Sequence, residues 1–332
     1  MHVFLTGATG IVGSHLLLKL LQAGRKVKVL VRENSNRTVI DRALAHNQLQ
    51  ADNISYVLGD VSDPVSLREG MEGCEEVYHC AAAVSFDPLL TNYLVQVNAG
   101  GTGNVVNTCL ELEIEKLCYI SSTAAIGDVK IDGQLTEKSA WTSDKGRSGY
   151  SLSKRYAELE VWRGREEGLK SLIVNPGLIV GAGNWGESST TIILSCENGM
   201  TFYPSGSNGF VSANDIARFC IEGMDKGWFD GRYLLISENL SFKRFFELTT
   251  EAFGSKSPRI AIPKSLAKLG QAGLKLLEFC RINVFSITSQ NIDSAYRDSS
   301  YGRTEALSTG FKFTPIKVGI EECVNRYLKE KG

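Results

Sequence analysis

The sequence predicts an α/β chain built on a doubly wound parallel sheet with a smaller, helix-rich C-terminal lobe. Three observations carry that prediction. Short apolar runs alternate with stretches of helical periodicity through the first half of the chain. The runs are rich in Val, Ile and Leu and show no in-and-out alternation, as strands covered on both faces require. No internal repeat or low-complexity tract interrupts the alternation. Helices packed on both sides of a parallel sheet satisfy all three.

Taken in order, the first run is Val3–Leu5. A glycine-rich turn follows, then an amphipathic stretch Ile11–Ala23 with apolar residues at Ile11, Val12, Leu16 and Leu20. The runs Val27–Val31, Ile54–Leu58 and Glu76–Cys80 supply the next strands. Thr102–Leu112 reads as a helix, and Lys116–Ile120 and Ser171–Val174 as further strands. The pattern changes after Pro176. The stretch 177–210 holds Gly177, Gly181, Gly183, Gly186, Gly199, Gly206 and Gly209, and reads as loops with short helices. Asn214–Lys226 is helical again and Tyr233–Ile236 a strand. From Phe242 to Lys331 the pattern is mostly helical, with breaks at Pro258, Pro263 and Pro315. The expected division is a first domain over 1–176, to which 211–238 returns, and a lobe formed by 177–210 and 239–332. In that lobe Ser265–Phe279, apolar at Leu266, Leu269, Gly273, Leu276 and Leu277, reads as core packing, with a lid or membrane-surface role the lesser alternative.

Composition narrows the functional classes. With 332 residues and 43% hydrophobic content the chain can bury a sizeable core. The balance of 36 Lys+Arg against 37 Asp+Glu argues against a whole-protein grip on nucleic acid. The cysteines (Cys74, Cys80, Cys109, Cys118, Cys196, Cys220, Cys280 and Cys323) include no CxxC pair and read as scattered buried thiols. The histidines His2, His15, His46 and His79 form no ligand cluster, so no metal is expected. The chain opens directly into a strand and has no apolar run of membrane-spanning length. The expectation is a soluble cytoplasmic protein without a membrane partner.

The chemistry-bearing motifs sit at strand ends. Gly7-Ala8-Thr9-Gly10-Ile11-Val12-Gly13 joins a buried strand to a helix start. Gly7 permits the sharp turn, Gly10 lets backbone approach a pyrophosphate, and Gly13 lets helix and strand lie close. The helix mouth offers free N–H groups and partial positive charge to phosphates. This is the fingerprint of a Rossmann-type dinucleotide site. At the end of the second strand, where a NAD site usually puts an acid for the ribose, stands Arg32, with Arg37 shortly after. Guanidinium groups there suit a 2′-phosphate, so NADP is preferred. Glu33, reached by a small backbone shift, leaves NAD possible. Asp60-Val61 follows the third strand, where an Asp can accept from an adenine amino group. His79-Cys80-Ala81-Ala82-Ala83 follows the fourth, with small residues that let a cofactor lie against backbone; His79 itself reads as a satisfied core histidine.

Tyr150 and Lys154 are four residues apart, hence on one helix face. A free tyrosine titrates near 10 and is a poor proton carrier at neutral pH. A nearby ammonium favours the phenolate and brings the group toward the working range. Thr123, at the end of the fifth strand in Ser121-Ser122-Thr123, offers a hydroxyl to a substrate oxygen as charge develops there.

On these residues the chain resembles an extended short-chain dehydrogenase/reductase of the NAD-dependent epimerase/dehydratase family. TGATGIVG, Asp60-Val61, HCAA, Asn98 with Gly101-Thr102-Gly103, SST, YSLSK, Asn175-Pro176-Gly177 and the later Gly209–Ala217 segment fall in that family's order over nearly the whole chain. The resemblance implies that Tyr150 exchanges the proton and that Lys154 holds the nicotinamide ribose and tunes Tyr150. Thr123 would take the position usually held by Ser. Asn98 would support the central helix, and the backbone from Pro176 to Ile179 would meet the carboxamide. Ser121 and Ser122 would satisfy backbone and cofactor groups, and Asp215 would lock the returning strand. Ala124-Ala125 stand where a sugar dehydratase of the family carries an Asp-Glu pair. Asn175-Pro176-Gly177-Leu178 and Tyr78–Phe86 are more similar to dihydroflavonol-reductase-like members than to sugar epimerases. The implied reaction is NAD(P)-dependent reduction of an aldehyde or ketone, with nucleotide-sugar epimerisation the alternative. Ser85, Phe86, Trp185 and Tyr203 are candidate substrate-pocket walls, though Trp185 and Tyr203 read equally well as lobe core. The resemblance also suggests a homodimer through the helices Val95–Leu112 and Tyr150–Glu166.

Overall fold

The structure, a computed structural model, describes residues 1–267 and 289–331. Its centre is a seven-stranded parallel sheet. The strands are β1 (His2–Thr6), β2 (Lys26–Val31), β3 (Ile54–Leu58), β4 (Glu76–His79), β5 (Lys116–Ile120), β6 (Lys170–Pro176) and, after the excursion described below, β10 (Arg232–Leu235). They lie in the order β10-β6-β5-β4-β1-β2-β3. The order reverses between β1 and β4, which opens a crevice at the carboxyl ends of those strands.

Alternate residues of each strand feed opposite layers, and both layers are apolar, which explains the unbroken runs in the sequence. Val3, Leu5, Val27, Val29, Cys118 and Val174 pack beneath α1 (Ile11–Gln22), α2 (Thr38–His46) and α8 (Ala213–Lys226). Phe4, Leu30, Val77, Leu117 and Ile173 face the helices α3 (Pro64–Met71), α5 (Gly101–Glu111) and α6 (Gly149–Glu166). A short helix α4 (Thr91–Val95) runs through a π-helical turn at Gln96–Gly100 into α5. Capping fixes where the site's helices begin. Ser148 accepts from the Ser151 amide at the start of α6, and Ser212 from the Asp215 amide at the start of α8.

The segment after β6 contains more strand than its glycines suggest. β7 (Leu178–Val180), β9 (Ser207–Ser212) and β11 (Glu238–Ser241) form a second sheet in the order β11-β9-β7. β8 (Phe202–Tyr203) pairs with β12 (Ile260–Ala261). The lobe core joins β7, β9, α7 (Ser188–Leu194), α9 (Phe242–Phe253) and the last helix, α12 (Ile316–Lys331), with Phe210 stacked on Phe245 at 4.5 Å between centroids. Between them lie α10 (Ser289–Ala295) and α11 (Thr304–Ser308). Ala306 and Phe311 leave the stretch expected to be lobe and join the main-sheet core, where Phe311 meets Phe219 edge-on at 5.1 Å. Apolar side chains from past residue 303 cover α8, and periodicity alone does not say which core a short helix serves. Asp215 ties this return down, accepting from the Thr314 amide and hydroxyl at 2.7 and 2.9 Å. Of the helical stretch expected over Ser265–Phe279, Leu266 is exposed; Leu269, Gly273, Leu276, Leu277 and also Cys280 lie outside the described residues.

Candidate active site

The glycine turn has the geometry its sequence demands. Gly7 has φ +74°, and a Cβ there would stand 2.5 Å from the Ala81 amide nitrogen. A Cβ on Gly13 would lie 2.1 Å from the Gly7 carbonyl oxygen. These contacts let β1, α1 and the loop after β4 converge to backbone distance. Gly10, exposed, is the N-cap of α1 and supplies no side-chain cap, and no acid occupies the first turn. Thr9 and Ile11 flank it, half-buried. The result is a cradle that any Cβ would fill, with uncapped amides at its mouth; the residues present fit the pyrophosphate of a dinucleotide.

Behind the turn the polar groups are fully paired. The Thr6 hydroxyl meets His79 Nδ1 at 2.7 Å and accepts from the Ala81 amide at 3.2 Å, and His79 Nε2 meets the Thr102 hydroxyl at 3.0 Å. Burial pushes the His79 imidazole down to about 3, so it is neutral scaffold. Cys80 and Ala81 are half-buried beside the turn and Ala82 is exposed. Asn98 clamps this loop: its Oδ1 accepts from the Ala83 amide at 2.7 Å, and its Nδ2 donates to Ala83 O and Ser153 Oγ, both at 2.9 Å.

At the ends of β2 and β3 a cavity of about 590 Å³ is lined by Arg32, Glu33, Asn34, Leu58, Gly59, Asp60 and Asp63. Burial works to raise the Asp60 carboxyl, but the Ser62 hydroxyl and amide, with the Arg32 charge, hold it below the usual range. Val61 is buried and faces Gly101, whose Cβ would come within 2.7 Å of it. The Arg37 guanidinium lies 4.5 Å from the centroid of the Tyr56 ring on β3.

The reacting end forms where α6 crosses the carboxyl ends of β4 and β5. Lys154 is almost fully buried, donates from Nζ to Ile120 O at 2.7 Å and stands 4.7 Å from the Tyr119 ring centroid. Burial lowers it to about 8, with the Glu158 and Cys80 charges opposing. Burial raises the Tyr150 phenol above its ordinary value, and a hydrogen bond with Ser122 works against that rise. Of the three hydroxyls in the run, that of Ser122 is the one that acts on the Tyr150 phenol. Ser122 ends the extended chain, accepts from the Ala124 amide at 3.1 Å and begins a 3₁₀ turn over Thr123–Ala125. That turn puts Thr123 beside Tyr301, on whose phenol its hydroxyl acts. Nothing in a run of three hydroxyls says which one the turn will leave facing the helix. The Tyr150 shift also differs from expectation, since burial rather than the Lys154 charge dominates it and keeps the phenol protonated.

Phe86 lies over the reacting group, with its ring 5.8 Å from that of Tyr150. Ser85 accepts from the Asp87 amide at 3.1 Å and shapes the same loop. Pro176 is buried at the end of β6, and Ile179 packs partly buried against the main core. Trp185 and Tyr203 stand apart, in the lobe core: Trp185 packs edge-on against Tyr327 and donates to Glu330 at 2.7 Å, and Tyr203 lies under the Lys243 ammonium. Among the described residues no cluster of acids, cysteines or histidines is arranged to hold a metal, and no helix is long and apolar enough to cross a membrane.

Comparison with known proteins gives the family and the fold. The chain is 30% identical over 282 residues to sterol demethylase protein B of Methylococcus capsulatus, covering 84% of this chain and 81% of that one. It is 30% identical over 267 residues to a putative dihydroflavonol 4-reductase of Synechocystis, covering 78% and 75%. In structure it is similar to a UDP-glucose 4-epimerase from Thermotoga maritima solved with UDP-glucose, with TM-score 0.78, 17% identity and full coverage of both chains, a likeness of fold. A family model matches residues 3–227, and the chain belongs to the NAD dependent epimerase/dehydratase family.

Proposed function

We propose that this protein is a carbonyl reductase that uses NADPH to reduce an aldehyde or ketone. The observation that carries the reading is the buried Tyr150 phenol, on which the Ser122 hydroxyl acts, one turn before the buried Lys154 on α6. A phenol kept protonated by burial is a proton donor in waiting, and the Ser122 hydroxyl is placed to share the same substrate oxygen. The chemistry that NADPH supplies when bound is hydride donation to the carbonyl carbon. Tyr150 gives its proton to the oxygen as negative charge grows on it. Ser122 hydrogen-bonds that oxygen and, by its bond to the phenol, eases the departure of the proton. Lys154 holds positive charge close to the phenolate that results. Gly7, Gly10 and Gly13 with the α1 amides would hold the pyrophosphate, Asp60 and Val61 the adenine, and Arg32 a 2′-phosphate. Cys80 to Ala82, Pro176 and Ile179 would line the rest of the cofactor channel. Phe86 walls the substrate cleft, which we place between the carboxyl edge of the main sheet and the lobe. Residues exposed on α4 and α6, Tyr93 and Leu159, mark the face through which a homodimer would form.

Reduction is favoured over epimerisation by Arg32, since an epimerase retains its NAD and gains nothing from selecting the phosphorylated cofactor, and by the dihydroflavonol reductase among the relatives. The test is fluorescence titration with NADPH and NADH, followed by a carbonyl panel with the tighter cofactor. Net oxidation of NADPH that is lost in Tyr150→Phe, with NADPH still bound, is the expected result. UDP-sugar conversion without net cofactor consumption would replace this reading with the epimerase one.

A further inference from the structure

Glu158 stands one helical turn beyond Lys154 on α6 and is fully buried. Four donors converge on its carboxylate from four elements. Oε2 accepts from Ser121 Oγ at 2.6 Å and Asn175 Nδ2 at 2.7 Å; Oε1 accepts from Arg232 Nη1 at 2.7 Å and Trp162 Nε1 at 3.3 Å. Asn175 Nδ2 also donates to Ser122 O at 3.0 Å. The last residue of β5 and the two that follow it are thus held in succession: Ile120 by Lys154, Ser121 by Glu158, and Ser122 by the amide that Glu158 orients. A carboxylate so deep in the protein carries a large desolvation cost, which apolar packing of the same volume would avoid. Its location, directly behind both the hydroxyl and the ammonium of the site, gives that cost a purpose.

We propose that Glu158 is a positioning residue for the reaction: it locks the stretch at the end of β5, whose Ile120 carbonyl holds Lys154 and which leads into Ser122, against α6. This rests on the reading of Ser122, Tyr150 and Lys154 as the catalytic groups. The groups around Lys154 are Glu158 on its own helix, His79 on β4, Cys80 just after it, and Tyr119 on β5. Among them Glu158 is the carboxylate, and its charge works to raise the Lys154 titration that burial depresses.

The test reads Lys154 without turnover. The full chain is labelled with ¹³C-lysine, and the Lys154 Cε resonance is assigned by its loss in Lys154→Arg. Wild-type Lys154 is expected to titrate near about 8. In Glu158→Gln it should bind its proton about ten-fold less tightly, as loss of a charge one turn away predicts. Because Glu158→Gln leaves Arg232 buried without its carboxylate, the neutral double variant Glu158→Gln with Arg232→Met is measured beside it and should show a smaller displacement in the same direction. A Lys154 midpoint at the wild-type value, in whichever of the two is folded by circular dichroism, overturns the proposal. That failure would leave the catalytic reading standing, because turnover in Tyr150→Phe tests the latter separately.

Discussion

Gly13→Ala isolates the step on which cofactor binding depends, the close approach of α1 to the turn that precedes it. The added Cβ would lie 2.1 Å from the Gly7 oxygen, 2.7 Å from its carbonyl carbon and 2.9 Å from Ala8 Cα. Ordinary carbon contacts begin near 3.5 Å, so α1 must retreat from the turn by roughly 1 Å or more. Every atom in the way is backbone, so no rotamer change relieves the clash. The helix is also pinned from behind, because Leu16, Leu17 and Leu20 are buried against the sheet and α8. Overpacking of this kind costs about 1–3 kcal/mol in stability. The cost to binding is larger. Hydrogen bonds to a charged partner are worth about 1.5–3 kcal/mol each, and losing two of them on the pyrophosphate gives about 3–6 kcal/mol, or a factor of about 10² to 10⁴ in Kd. Gly24→Ala is the control. Gly24 has φ +70° but nothing within 4 Å of an added Cβ, so it meets conformational strain without a clash. It should lose about 1–2 kcal/mol in stability and bind NADPH with unchanged affinity. Thermal melts and fluorescence titration of the three proteins measure both quantities. A folded Gly13→Ala protein that binds NADPH as the wild type does would refute the placement of the pyrophosphate at the mouth of α1.

The remaining predictions address the groups around that site. Arg32→Ser should weaken NADPH by about 10- to 100-fold, the worth of one charge-assisted contact, and leave NADH within a few-fold, as paired titrations would reveal. Ser122→Ala should lower kcat by about 10² or more at unchanged NADPH affinity, whereas Thr123→Val should lower it less than about ten-fold; a larger loss in Thr123→Val than in Ser122→Ala would return the hydroxyl role to Thr123. For pH, the folded-state depression of His79 from 6.5 to about 3 means that the unfolded chain binds the extra proton between those values, so stability is full above about 6.5 and falls as the pH drops toward 3. The loss at pH 5 is about 2 kcal/mol from this residue alone, and His79→Gln should flatten the pH dependence of the urea midpoint over that window.

How far the sequence could be read depended on whether a feature is local. Val3–Leu5 and Lys116–Ile120 are legible as buried strands because burial on both faces leaves an unbroken apolar run, and only a covered parallel sheet asks for that. The glycine turn is legible because backbone approach at Gly7 and Gly13 admits no other residue. Ser207–Ser212 and Glu238–Ser241 lack such a signal: they are short, polar on one face, and become strands by pairing with each other across 25 intervening residues. The same distinction governs the site. Tyr150 and Lys154 are fixed by one helix, so their spacing suffices. The choice between Ser122 and Thr123 is made by a 3₁₀ turn and by Tyr301, which arrives from the far end of the chain. Arg37 is drawn to Tyr56 on the neighbouring strand, and Glu158 becomes meaningful only when Ser121, Asn175 and Arg232 converge on it. The motif thus names the helix that carries Tyr150 and Lys154, while non-local contacts set the groups around them. It follows that exchanging Tyr301 for Phe, which leaves every motif residue in place, should loosen Thr123 and not Ser122; the Ser122→Ala and Thr123→Val comparison repeated in that background separates the two.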